Sequence, residues 1–206
     1  MTLKVLLIIH VTAGSIALAA GTLAALAPKG RKLHNRSGLV FAAAMAASTL
    51  AGLALSLIKD NGFLFAISMF TLYLVGTGYL FGTLRQMENL RKALRPAGVL
   101  GLLFAVYMLW VGWRAGGQAL MVLGIFGTML AGFSIADLAL PLKPTSRIPR
   151  HAGRMGGAFI AAVTAVLVVN VSIDPAWVLW LGPTFVGTLL LTVGISRWRR
   201  KVSRIV

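Results

Sequence analysis

The stretch GFLFAISMFTLYLVGTGYLFGTL, Gly62–Leu84, decides the fold: its 23 residues include no Asp, Glu, Lys, Arg or His. Coiled as a helix at 1.5 Å per residue it reaches about 34 Å, enough to cross a hydrocarbon core of ~30 Å. A barrel strand would instead alternate polar and apolar positions over about ten residues. Six other runs are likewise long and apolar: Leu3–Ala27 (with Lys4 and His10 inside it), Ser37–Ile58, Ala97–Trp113, Ala119–Leu140 (with Asp137), Met155–Ile173 and Ala176–Ile195. A span exposed to lipid must satisfy its backbone hydrogen bonds internally, so each is read as a helix. The expected fold is all-α, a polytopic transmembrane helix bundle of about seven spans.

Composition agrees. Mean hydropathy is +0.88 and 58% of the 206 residues are hydrophobic, more than a soluble domain of this size can bury. Connections are short and carry no Pro-rich or Gly/Ser-rich linker, so residues 1–206 read as a single transmembrane helical domain. The apolar run within Met1–Ala27 is too long for a signal-peptide core, its only early cation is Lys4 and strong positive charge follows it, so it is expected to stay as the first span.

Charge sets the expected orientation. Alternate connections hold Lys29, Arg31, Lys32 and Arg36; Arg85, Arg91, Lys92 and Arg95; Lys143, Arg147, Arg150 and Arg154; and Arg197, Arg199, Arg200, Lys201 and Arg204. The opposite set holds only Lys4, Lys59 and Arg114. Positive loops stay in the cytoplasm, which puts the N-terminus outside and the C-terminus inside a bacterial inner membrane. The net charge of +16 therefore reads as a topology signal and as contact with anionic lipid headgroups on the cytoplasmic side, not as a nucleic-acid surface. Trp110, Trp113, Trp177 and Trp180 near the outer helix ends, with Trp198 in the inner tail, read as interface anchors.

Several chemistries are excluded. With no cysteine there is no disulfide, thiolate metal site, iron–sulfur cluster or covalent c-type haem. The last span has no lysine for a retinal Schiff base, and there is no phosphate loop, nucleophile elbow or HExxH.

Three histidines and one acid inside the apolar runs are left. His34 and His151 open the second and sixth spans on the basic face, with Asp137 about one turn from the inner end of the fifth. Two imidazoles from different helices suit the axial positions of a b-type haem; with Asp137 they suit a two-histidine, one-carboxylate metal site. Against these stand hydrated interfacial histidines and an Asp137 snorkelling toward Arg147, Arg150 or Arg154. His10 is the third cofactor-binding candidate. It shares a helix face with Gly14, Ala17 and Gly21, and Asn170 is its expected hydrogen-bond partner. About 25 Å of helix separates His10 from Ala27, so His10 and His34 are not expected to share one metal ion. Gly78-Tyr-Leu-Phe-Gly82 is read as a close helix contact within the chain.

A faint echo links Leu26-Ala-Pro-Lys29 leading to His34 with Leu140-Pro-Leu-Lys143 leading to His151, the pattern of a parallel repeat. The stretch His10-Val-Thr-Ala-Gly14, followed by Gly21 and His34-Asn-Arg-Ser-Gly38, resembles the opening of a family of uncharacterised bacterial multi-pass membrane proteins. That family has HxxxG in the first helix and HRxxG at the start of the second, and Asn35 stands here where Arg is usual. The resemblance implies a membrane location and three histidine positions, and no activity. The favoured expectation is haem b binding for electron transfer or redox sensing through His34 and His151. The alternatives are a small-solute or proton transporter module gated by Asp137, His34 and His151, and a structural membrane subunit without a site.

Overall fold

The computed structural model describes residues 2–202; Met1 and Arg204 lie outside the described residues, as do the side chains of Arg199 and Lys201. Within them the chain forms seven helices: α1 Thr2–Leu26, α2 Lys32–Ile58, α3 Gly62–Thr83, α4 Met87–Ala115, α5 Gly117–Ala139, α6 Pro144–Asn170 and α7 Trp177–Val202. Each is long and apolar enough to cross a membrane, and the chain is an integral membrane protein of the multi-pass kind.

Four helices make a square: α2 packs on α1 and α3, and α6 packs on α3 and α1. The α4–α5 hairpin covers the outer side of α3, and α7 lies along α6. Small residues set these distances. A side chain at Gly21 would meet the Phe159 ring at 2.5 Å, so α1 approaches α6 only because that position is bare. Ala17, one turn earlier, is fully buried. Phe41, Phe70, Leu74, Met108, Phe126 and Leu130 fill the interior. The outward faces of α1 and α7 stay rich in exposed Leu, Val and Ile, as lipid contact requires.

Three helices start a turn or more before their apolar runs. α2 begins at Lys32, α4 at Met87 and α6 at Pro144, so basic residues read as connections lie on helix instead. Hydropathy delimits what lipid tolerates, whereas a helix extends as far as its backbone is satisfied. Leu90 and Leu94, both fully buried, hold the early turns of α4 against Phe81. Pro96 and Pro149 each remove one amide donor inside a helix, and both fall in the charged end, where water can take the freed carbonyl. The α2–α3 turn follows ordinary rules: Asp60 adopts φ 49° and Asn61 caps α3 by accepting from the Leu64 amide at 3.0 Å. Trp177 and Trp180 pack inward, Trp180 edge-on to Phe63 at 4.9 Å, unlike the exposed Trp110 and Trp113.

Candidate functional site

His34 and His151 meet at the cation-rich end of the bundle, their ring centroids 6.4 Å apart and their planes at 83°. Each ring is anchored on a neighbouring helix. His34, on α2, puts Nδ1 2.9 Å from the carbonyl of Ala24 on α1; His151, on α6, puts Nδ1 2.8 Å from the carbonyl of Gly78 on α3. A carbonyl only accepts, so Nδ1 carries a proton in both rings, and in a neutral ring Nε2 is then the atom with the free lone pair. The anchors are chemically explicable. The helical partner of the Ala24 carbonyl would be the amide of residue 28, which is proline, and the His34 imidazole and the Lys29 ammonium take its place. Burial holds the Lys29 ammonium pKa below the ordinary lysine value. His151 lies over the bare α-carbon of Gly82, where an added side chain would come within 2.7 Å of Nδ1. Gly78 and Gly82 are thus a histidine seat as well as a close helix contact.

His10 uses the same device toward the other end. Its Nδ1 lies 2.8 Å from the Ser48 carbonyl on α2, over Gly52, and the Ser48 hydroxyl donates back to the His10 carbonyl at 2.9 Å. The expected His10–Asn170 bridge is not formed: Asn170 is exposed and its amide donates to Val166 one turn back on its own helix. Among the described residues no hydrogen-bond partner meets Nε2 of any of the three imidazoles.

Asp137 belongs to a different centre. It is 3% exposed, with the carboxylate turned inward rather than snorkelling. Arg154 Nη2 lies 3.0 Å from Oδ2, the Tyr73 hydroxyl donates to the same oxygen at 2.7 Å, and Arg150 Nη1 is 3.6 Å from Oδ1. Arg147 turns elsewhere, to the carbonyls of Gly82 and Leu84. The Arg154 guanidinium sits 4.1 Å from the Phe133 ring centroid and 5.1 Å from that of Tyr73, a desolvated cation faced by two aromatic quadrupoles. With the carboxylate engaged this way, the proposed His34–His151–Asp137 metal set is not assembled: among the described residues no group of three or more His, Cys, Asp or Glu is close enough to hold a metal ion.

Sequence reasoning missed Tyr73 and Phe133. A tyrosine in the middle of an apolar span was a readable signal, because its hydroxyl demands a partner when buried. The repeat also needs revising. The helix that stands to α6 as α1 stands to α2 is α3, which holds the His151 anchor, and not α5, which precedes α6 in sequence. Comparison of the chain with family models, with curated proteins and with solved structures finds no match.

Proposed function

We propose that this membrane protein binds b-type haem between His34 and His151 for electron transfer or redox sensing. The carrying observation is the pair itself: two imidazoles 6.4 Å apart, each fixed by its Nδ1 proton to a different helix. Imidazole nitrogens about 2 Å from a shared metal, on opposite sides of it, leave the ring centroids roughly 6 Å apart. Two donors do not complete a tetrahedral or octahedral site built from protein alone, so the donor count favours a metal that arrives with its own ligands. Haem does so, and when bound it supplies one-electron chemistry. The chain's contribution is to fix both ring tautomers and orientations through backbone carbonyls, which raises ligand basicity. Purified protein supplemented with haem is expected to develop a Soret band, and His34→Leu or His151→Leu to change its position or abolish it. Absence of a band in the wild-type protein overturns the reading.

A second reading has its own observation. Asp137 Oδ1, Arg154 Nη1 and Ser134 Oγ are buried without hydrogen-bond partners among the described residues. Polar groups left open inside a bundle are typical of proton or solute pathways. Under this reading proteoliposomes show a pH-dependent flux that Asp137→Asn abolishes.

A further inference from the structure

α5 and α6 are consecutive, joined by the short connection Leu140–Lys143, yet among the described residues the two helices do not pack on one another. The Asp137 end of α5 is tied to α6 by polar contacts instead. Arg154 Nη2 lies 3.0 Å from Asp137 Oδ2 and 3.3 Å from the Phe133 carbonyl. Arg150 Nη1 lies 3.6 Å from Asp137 Oδ1 and 3.4 Å from the Ala136 carbonyl. We propose that this centre is a latch: when a proton neutralises Asp137, the Asp137 end of α5 parts from α6.

An apolar interface holds whatever the protonation state, whereas one made from a single carboxylate and two guanidiniums changes sign with it. Ionised, Asp137 attracts both arginines. Once it is neutral, Arg150 and Arg154, one helical turn apart, are two like charges sharing a site inside the bundle, and both gain by turning toward water. No other acid replaces it. Asp60 and Asp174 lie in connections at the opposite end of the bundle, and Glu88 is paired with Lys92 at 2.7 Å. The remaining titratable or charged groups around Asp137 are Tyr73 on α3, whose hydroxyl donates to Oδ2 at 2.7 Å, and Arg91 and Arg95 on α4, which line the adjoining cleft. α7 adds cations from Arg197 onward and no acid.

The Gln118 end of α5 is held by contacts that no such proton alters. Phe126 stacks on Phe70 of α3 at 5.2 Å, and Gln118 Oε1 accepts from the Trp177 amide of α7 at 3.0 Å. The hinge therefore belongs to that end, and the moving part is the end that carries the carboxylate.

A chain without cysteine allows a direct test by distance. Nothing lies within 4 Å of a side chain added at Gly132 on α5 or at Gly153 on α6, so both positions accept a spin label. Full-length protein carrying Gly132→Cys and Gly153→Cys is labelled, placed in lipid nanodiscs and measured by double electron–electron resonance at neutral and acidic pH. The expected result is a distance longer by about 5 Å or more on acidification. Adding Asp137→Asn should give the longer distance at both pH values. A reference pair, Gly153→Cys with Gly194→Cys, spans α6 and α7, which are packed through Leu191 on Gly156 and Ile160 on Gly187; its distance should stay the same. The acid titration of the chain with Asp137 intact, set against the reference pair, decides the matter where Asp137→Asn fails to fold. Three outcomes overturn the latch: no lengthening between α5 and α6 on acidification, an equal change in the reference pair, or a pH response that persists in Asp137→Asn. The last would assign the response to His34 or His151. Neither haem nor flux enters the readout, so failure of the latch and failure of either reading above are told apart.

Discussion

Nδ1 of His151 donates to the carbonyl oxygen of Gly78, 2.8 Å from nitrogen to oxygen, across the bare α-carbon of Gly82. In a helix the side chain at i+4 leans back toward the carbonyl of residue i, so a glycine four residues on uncovers that carbonyl for a second donor. His10, the Ser48 carbonyl and Gly52 repeat the arrangement on α1 and α2. Interhelical polar bonds in membranes contribute about 0.6–2 kcal/mol each.

Gly82→Ala should therefore do more than add a methyl. The new Cβ would lie 2.7 Å from Nδ1 and 2.8 Å from Cε1 of His151, so the imidazole must leave its seat. The expected cost is about 1–3 kcal/mol, the usual range for overpacking, seen as easier unfolding in a detergent titration. If haem binds, the Soret band should weaken in the same variant. Gly52→Ala, where the clash with His10 is milder at 3.2 Å, should cost less and leave the band in place. Equal effects of the two substitutions would contradict the seat geometry.

The buried ion pair predicts an ordering of variants. Arg154→Leu leaves the Asp137 carboxylate with only the distant Arg150 and the Tyr73 hydroxyl, and should destabilise by about 3–5 kcal/mol. Arg154→Leu combined with Asp137→Leu should be milder than the single change, because no uncompensated charge is left. Tyr73→Phe removes one hydrogen bond to a charged group and should cost about 1.5–3 kcal/mol. Unfolding titrations of the four proteins test the order, and a double variant worse than Arg154→Leu alone would refute it.

Much of the architecture was legible because membrane helices announce themselves by length and apolarity. All seven spans, and the turns at Asp60–Asn61 and Gly116, follow from that signal. The helix starts at Met87 and Pro144 did not, since Leu90 and Leu94 need Phe81 to hold them and that contact is tertiary. At the site, the approach of His34 to His151 was an expectation drawn from the membrane side they share, and their spacing carried no signal. Which arginine takes Asp137 was not legible, because Arg147, Arg150 and Arg154 recur at helical spacing and only the packing of α6 on α3 turns Arg154 inward between Tyr73 and Phe133. The His10–Asn170 bridge failed for a related reason: Asn170, at the end of α6, has a nearer acceptor in its own helix.

Two glycines one might treat alike should respond in opposite ways. A side chain at Gly101 would overlap the Ser134 hydroxyl and come within 2.7 Å of the Tyr73 ring, so Gly101→Ala should disturb the carboxylate centre and destabilise by about 1–3 kcal/mol. Nothing lies within 4 Å of a side chain added at Gly124, which is mid-helix in α5. Gly124→Ala should be neutral or stabilising by up to about 1 kcal/mol, from helix propensity alone. Midpoints of thermal unfolding in one detergent distinguish the two.

The absence of cysteine makes orientation directly measurable, because any single introduced thiol is the only one in the chain. Lys59 lies in the α2–α3 turn and Gln86 in the α3–α4 turn, both exposed, at opposite ends of α3. The partition of seventeen cations against three predicts that the α3–α4 turn is cytoplasmic. Lys59→Cys should react with a membrane-impermeant maleimide on intact cells, whereas Gln86→Cys should react only after permeabilisation. Neither change disturbs the charge bias: Lys59 is among the few cations of the sparse side, and Gln86 is neutral. Labelling of both from the same side would mean that α3 does not span. Exchange of the two patterns would keep the seven spans and invert the protein, placing the His34–His151 pair on the outer face and the Asp137–Arg154 pair in the outer half.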